Sequence, residues 1–289
     1  MKRIGLLVAL LVTMAACRED ELNPNSLLVG MGGDTWERTA LDDWLYQEFV
    51  EPYNIDVKYK WDPYEVILRT DYIPVEEVKV KELMTAVKKV WIEPYEKRGG
   101  AEIIKKISPK RYVLVGSIEE ATGRAEGTNK ITLFNVNGFD VKNSDQIRER
   151  MKTVHHEYGH TLSANVLYPD EWKTICSESY TGIGQWSASA NTDELARAAG
   201  FVSRYARANP EEDWAETLST ILVNGRGWFD ARVALAGTDG GEKLRKKEAI
   251  VLSYMKANWG IDLYETYSGG KNGLMDTVQE AIEQLMEEN

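Results

Sequence analysis

Segments with strand and helix patterning are mixed through the first half of this 289-residue chain and give way to helices alone in the second, the pattern of an α+β fold. A strongly amphipathic helix stands at the junction, and a second helix with a clear start follows it. From the amino end, a helix is expected from Thr39 to Glu51 and a strand from Asp56 to Trp61. A longer helix should run from Val75 to Lys97, and further strands from Tyr112 to Gly116 and Lys130 to Val136. Alternation in these strands is imperfect. Asn143-Ser144-Asp145-Gln146 is a helix start, with Asn143 as N-cap and Gln146 placed as in a capping box. Ile147, Met151, Val154, Tyr158 and Leu162 then recur at helical spacing, so a helix from Ser144 to Ala164 should turn that stripe to the core. Asn209-Pro210-Glu211-Glu212-Asp213 starts another, with Asn209 as N-cap, Pro210 in the first turn and acids at the positive end of the helix dipole. Trp228 to Ala236, Gly241 to Trp259 and Gly273 to Glu288 complete the helical half. The folded part is expected at 34–289, with lobes at roughly 34–164 and 165–289 and a cleft between them.

All three histidines of the chain lie within six positions, in His155-His156-Glu157-Tyr158-Gly159-His160. Residues four apart share a helix face, so His156 and His160 are placed to offer two imidazole nitrogens to one Zn²⁺. Glu157 then sits beside the metal, where a carboxylate can take a proton from water. His155 points about 100° away and is expected to be a supporting or surface residue. Gly159 inside this helix costs about 1 kcal/mol relative to Ala, so something should pack closely against it.

A catalytic zinc takes a third protein ligand, and no histidine remains. The acids downstream are Asp193, Glu194, Glu211, Glu212, Asp213 and Glu216. Glu212 and Glu216 fall on one helix face, where the first could bind the metal and the second hydrogen-bond a ligand histidine. The alternative for each is a role in complementing the helix dipole.

His156-Glu157-Tyr158-Gly159-His160, followed 52 positions after His160 by Glu212-Asp213-Trp214-Ala215-Glu216, resembles the third-ligand helix of gluzincin metallopeptidases, including the lethal-factor-like enzymes. The resemblance implies Glu212 as zinc ligand and Glu216 as the acid behind a histidine. Tyr205, seven residues before Glu212, resembles the tyrosine that such sites place over the metal, where a phenol can donate to an oxyanion. Over the whole chain the sequence is similar to the substrate import-associated zinc metallohydrolases, lipoproteins found beside TonB-dependent import systems. Leu41-Asp42-Asp43-Trp44, Pro52-Tyr53-Asn54-Ile55, Leu133-Phe134-Asn135-Val136-Asn137-Gly138-Phe139 and Gly200-Phe201-Val202-Ser203 through Glu216 carry that likeness. It implies a zincin-like α+β metallopeptidase with a mixed N-terminal lobe, the HExxH active-site helix and a helical C-terminal lobe.

The amino terminus points to the cell envelope. Lys2 and Arg3 precede an apolar run from Ile4 to Val12, too short to span a membrane, and Met14-Ala15-Ala16-Cys17 resembles a lipobox. Residues 1–16 are therefore expected to be a lipoprotein signal peptide. Residues 17–33 should form a tether lipidated at Cys17, and Arg18-Glu19-Asp20-Glu21 resembles a surface-export signal. Cys176 is left without a disulfide partner and is expected as a small buried apolar residue. A net charge of −11 argues against nucleic acid as partner.

The expected activity is zinc-dependent hydrolysis, most simply of a peptide bond in a peptide, protein or glycopeptide, by an outer-membrane lipoprotein tied to nutrient import. A TonB-dependent transporter and its surface binding lipoprotein are the expected partners. Strand Lys130 to Val136 is expected to be the edge along which an extended substrate lies. The alternative is a non-catalytic or glycan-directed lipoprotein that captures substrate for an import channel. An intact Glu157 favours catalysis.

Overall fold

The computed structural model describes residues 37–62, 65, 72–116, 129–264 and 273–288, together with the backbone of 123–126. The expected signal peptide, Cys17 and its tether lie outside the described residues. The elements below all belong to the compact unit Ala40–Asn289. It is a mixed α/β structure, mostly helical, with one small sheet.

Helix α1 runs through residues 40–53 with a π-turn at Tyr46–Val50 and ends at Asn54, whose left-handed backbone (φ 55°) stops it. Four short strands follow in sequence: β1 (Asp56–Lys58), β2 (Arg111–Leu114), β3 (Gly123–Glu126) and β4 (Lys130–Leu133). Their order in the sheet is β1-β2-β4-β3; β1, β2 and β4 are parallel, and β3 pairs antiparallel with β4. Between β1 and β2 come helix α2, residues 77–99 with a π-turn at Lys88–Ile92, and the short α3 (Glu102–Lys106).

The sheet is covered on both faces, which accounts for the poor alternation of its strands. Tyr112, Leu114, Ile131 and Leu133 join the main core, where Trp91 of α2 packs on Tyr112. Val113 and Phe134 form a smaller cluster with Tyr72 on the other side. Strand β4 ends sooner than its sequence suggests because Asn135 turns left-handed (φ 52°) into a 3₁₀ turn at Val136–Gly138. The expectation that this strand forms the edge is corrected: β4 is paired on both sides, and the edge beside it is β3, which carries too little apolar pattern to be read.

Helix α4 (Ser144–Asn165) starts where expected, the Asn143 side chain accepting from the backbone N–H groups of Asp145 and Gln146. Gln146 reaches back to the Asp140 N–H, not to that of the N-cap. Ile147, Met151, Val154, Tyr158 and Leu162 are all fully buried. Arg150 donates to the carbonyls of Phe134 and Asn135 (2.5 and 2.7 Å), fixing α4 to the end of β4. The short α5 (Glu171–Ile175) and α6 (Asp193–Ala198) lead to a 3₁₀ turn at Tyr205–Arg207. Helix α7 (Pro210–Leu235) then runs antiparallel to α4, and α8 (Gly237–Trp259) and α9 (Leu274–Glu287) pack against it. α7 is broken at Gly225 (φ 81°, ψ 170°). The carbonyls freed there are taken up: Gln279 of α9 donates to Leu222 and Val223, and Arg148 of α4 donates to Val223.

Candidate metal centre

Helices α4 and α7 touch at Gly159 and Ala215, and the two small residues let the backbones approach closely. The contact brings the first turn of α7 over the histidines of α4. Asn209 caps α7 by accepting from the Glu212 N–H at 2.8 Å, leaving the Glu212 carboxylate free to turn toward α4. His156 Nε2 lies 3.1 Å from His160 Nε2 and 3.0 Å from Glu212 Oε2, and the third side of the triangle, His160 to Glu212, is 3.4 Å. Ligand bonds of 2.0–2.1 Å in a tetrahedron require edges of about 3.3 Å. The three atoms thus form one face of a zinc-sized tetrahedron, with the donor set of two imidazoles and a carboxylate that the ion favours.

Glu157 is buried, and its carboxylate lies with the nitrogens of His156 and His160 inside a 4.8 Å cluster. Glu157 thus lies beside the triangle of His156, His160 and Glu212 and is not one of its corners. On the far side of His156, Nδ1 is 3.2 Å from Glu216 Oε1, within ion-pair range though off the line of a straight hydrogen bond. Glu216 Oε2 accepts from Lys152 Nζ at 2.9 Å and from the Ser203 hydroxyl at 2.6 Å. Ser203 Oγ in turn accepts from the Ala206 N–H at 3.1 Å, tying the turn that carries Tyr205 to the acid behind His156. The Tyr205 ring lies 5.8 Å from that of His156.

Electrostatics follow from this crowding. Burial works against a charged His156, but contacts with Glu212 and Glu216 outweigh it and push its pKa up to about 10. Burial would raise both carboxylates. The histidines hold Glu212 well below the usual range, and Lys152 with His156 does so for Glu216. The Tyr205 phenol is raised by burial and by the negative charge of the neighbouring Glu212 carboxylate, so it stays protonated. His155, placed by sequence as a supporting or surface residue, is in fact fully buried under α2, 3.2 Å from the Val90 carbonyl, and burial lowers it to about 4.

Of the six downstream acids, the structure brings Glu212 and Glu216 to the histidines and sends the others elsewhere. Asp193 accepts from the Arg204 N–H, Glu211 from the Tyr168 hydroxyl, and Glu194 is exposed. Asp213 is fully buried, paired at 2.6 Å with an equally buried Lys247, and also accepts from the Tyr180 hydroxyl. Lys152 was legible in principle, since 152, 156 and 160 share a helix face. Ser203 and Lys247 carry no local signal, because only the tertiary fold brings them to these partners.

The family described as "Putative zinc-binding metallo-peptidase" matches residues 34–264. The fold is similar to the crystal structure of a "putative zinc-binding metallo-peptidase" from Bacteroides caccae, with a TM-score of 0.71 and 28% identity over 86% of this chain and 92% of that one. No curated protein is similar.

Proposed function

Because the chain belongs to this family of zinc-binding metallo-peptidases, we propose that it hydrolyses peptide bonds at the centre built by α4 and α7, with His156, His160 and Glu212 holding Zn²⁺. The observation that carries the reading is the ligand triangle with a buried carboxylate, Glu157, beside it. Zinc, when bound, supplies a Lewis acid that polarises a carbonyl and lets water lose a proton near neutral pH. Glu157 takes that proton and delivers it to the leaving amine. Tyr205, its ring 5.8 Å from that of His156, keeps its proton under burial and would donate it as a hydrogen bond to the developing oxyanion. The Glu216 carboxylate, 3.2 Å from His156 Nδ1, would favour a proton on that nitrogen and so leave Nε2 to serve as ligand. Strand β3 lies at the sheet edge against α4, and an extended substrate would add to the sheet there.

We further propose that the chain acts in the cell envelope, lipidated on Cys17, beside a TonB-dependent importer and its surface binding lipoprotein. The Met14-Ala15-Ala16-Cys17 stretch supports this. Among the described residues no helix is long and apolar enough to cross a membrane. Incorporation of a fatty-acid probe that persists in Cys17→Ser would remove the lipid anchor.

The catalytic reading is tested by Glu157→Gln, which should keep one zinc per chain and lose nearly all turnover of a peptide library. Equal cleavage by both forms would sink it. Peptide or glycan capture without cleavage by either form would favour the binding-lipoprotein alternative.

A further inference from the structure

Next to Tyr205 stands a built aromatic and cationic rim. Trp186 meets the Tyr205 ring edge-on at 4.8 Å, and the Arg204 guanidinium lies over the Trp186 ring at 5.7 Å. The loop that carries Trp186 is fastened from behind. Buried Asn191 donates to the carbonyls of Trp186 (2.6 Å) and Arg204 (3.2 Å) and accepts from Arg207 Nη1 at 2.7 Å. Arg207 Nε donates to the Ser179 carbonyl at 3.1 Å, closing the base of the loop. The loop has glycines at 182 and 184 and small residues at 187–190, and residues 182–185 and 187–190 are exposed around a half-buried Trp186.

Arg204 is itself exposed, and among the described residues no carboxylate lies in ion-pair range of its guanidinium. The neighbouring acid, Asp193, is engaged by the Arg204 backbone N–H. A guanidinium lying over an aromatic face keeps its N–H fork free in its own plane, which is the arrangement that receives a carboxylate with two parallel hydrogen bonds. An extended peptide advances about 3.3 Å per residue, so a side chain a few residues from a bond held at Tyr205 reaches this rim.

We infer that Trp186 and Arg204 form a specificity subsite that accepts a carboxylate on the peptide substrate, from an acidic side chain or a chain end, with Trp186 as its floor. The inference rests on the peptidase reading of the adjoining centre, and its test is a binding measurement that does not need turnover.

A pool of randomised peptides is passed over immobilised, zinc-loaded full-chain Glu157→Gln protein with Arg204 intact or changed to Glu or Gln, and bound peptides are sequenced by mass spectrometry. With Arg204 intact, Asp and Glu should be enriched by about tenfold over their neutral amides. Arg204→Gln should abolish the enrichment and Arg204→Glu should turn it toward Lys and Arg. Free-ended and amidated pools separate the sources: Asp and Glu enrichment in both assigns a side chain, and Arg204-dependent capture of free-ended over amidated peptides without that enrichment assigns the terminus. Identical selection by all three proteins, or no capture at all, overturns the subsite. Acid-selective capture without any cleavage by the Glu157 form would instead overturn the peptidase reading and leave the subsite standing.

Discussion

A Cβ built on Gly159 would stand 3.2 Å from the Cα and 3.5 Å from the Cβ of Ala215, so the two helices that carry the proposed ligands meet backbone to backbone at one point. Helix propensity alone makes Gly159→Ala stabilising by about 1 kcal/mol. Overpacking at this contact costs about 1–3 kcal/mol and displaces α7 relative to α4. The expected result is lower stability in urea melts of the zinc-free protein, together with weaker zinc binding. A stabilised variant with unchanged affinity would show that the contact is slack.

The two acids of α7 should separate by metal affinity. Glu212→Gln removes a charged ligand and should weaken zinc strongly, whereas Glu216→Gln, acting through His156, should cost about 10- to 100-fold with the metal retained. Competition titration against a chelator measures both. Wild-type affinity in Glu212→Gln would overturn the ligand assignment.

Asp213 is a neighbour of Glu212 in sequence with a different job. Asp213→Asn leaves the fully buried Lys247 without its counter-charge and should cost about 3–5 kcal/mol in stability. The fraction that remains folded should still bind one zinc. Loss of metal at unchanged stability would contradict this division of roles.

Ser203 bonds both Glu216 and the turn bearing Tyr205, and so acts as a positioning residue. Tyr205→Phe should lower kcat by about 10²- to 10³-fold with zinc retained. Ser203→Ala should lower kcat in the same direction, and the double variant should fall short of the product of the two effects. Ser203→Thr should restore part of the loss. Strictly multiplicative effects would disconnect the two residues.

Two histidines give opposite pH signatures. In the zinc-free protein His156 is raised to about 10, so its contribution is fully present below about 6.5 and is lost as pH rises toward 10. The same proton must leave before zinc binds, so zinc uptake at pH 7.5 should release about one proton from this site, measurable by calorimetry in buffers of different ionisation enthalpy. His155 is lowered to about 4. The unfolded chain therefore binds its proton first, and stability should fall as pH drops from about 6.5 to 4. His155→Gln should flatten that part of the acid limb; an unchanged slope would assign it to other groups.

How much of this was legible depended on whether the signal was local. The α4 cap at Asn143, the apolar stripe from Ile147 to Leu162 and the α7 cap at Asn209 are local rules, and each stands where the sequence placed it. Gly159 was legible too, since a glycine inside a helix needs a close neighbour, and Ala215 is that neighbour. Sheet order was not. β3 offers four residues, Gly-Arg-Ala-Glu, with almost no apolar pattern, and missing it turned β4 into an edge. His155 is no surface residue: Met151, Tyr158 and Leu162, at i−4, i+3 and i+7, put it beside the apolar stripe, and α2 covers it there. Trp228 to Ala236 has the pattern of a separate helix, and the break at Gly225 explains why that pattern restarts inside α7.

The antiparallel pair α4 and α7 is cross-braced at successive turns: Arg148 to the Val223 carbonyl, Lys152 to Glu216, Gly159 against Ala215, and His160 beside Glu212. Like rungs between two rails, these links make the aperture between the ligand atoms a property of helix spacing, which yields by tenths of an ångström, and not of a loop. Such an aperture gauges ion size. Calcium, which needs six to eight oxygens at 2.3–2.6 Å, would have to spread the rails, whereas a small four-coordinate ion fits the gap as the helices already set it.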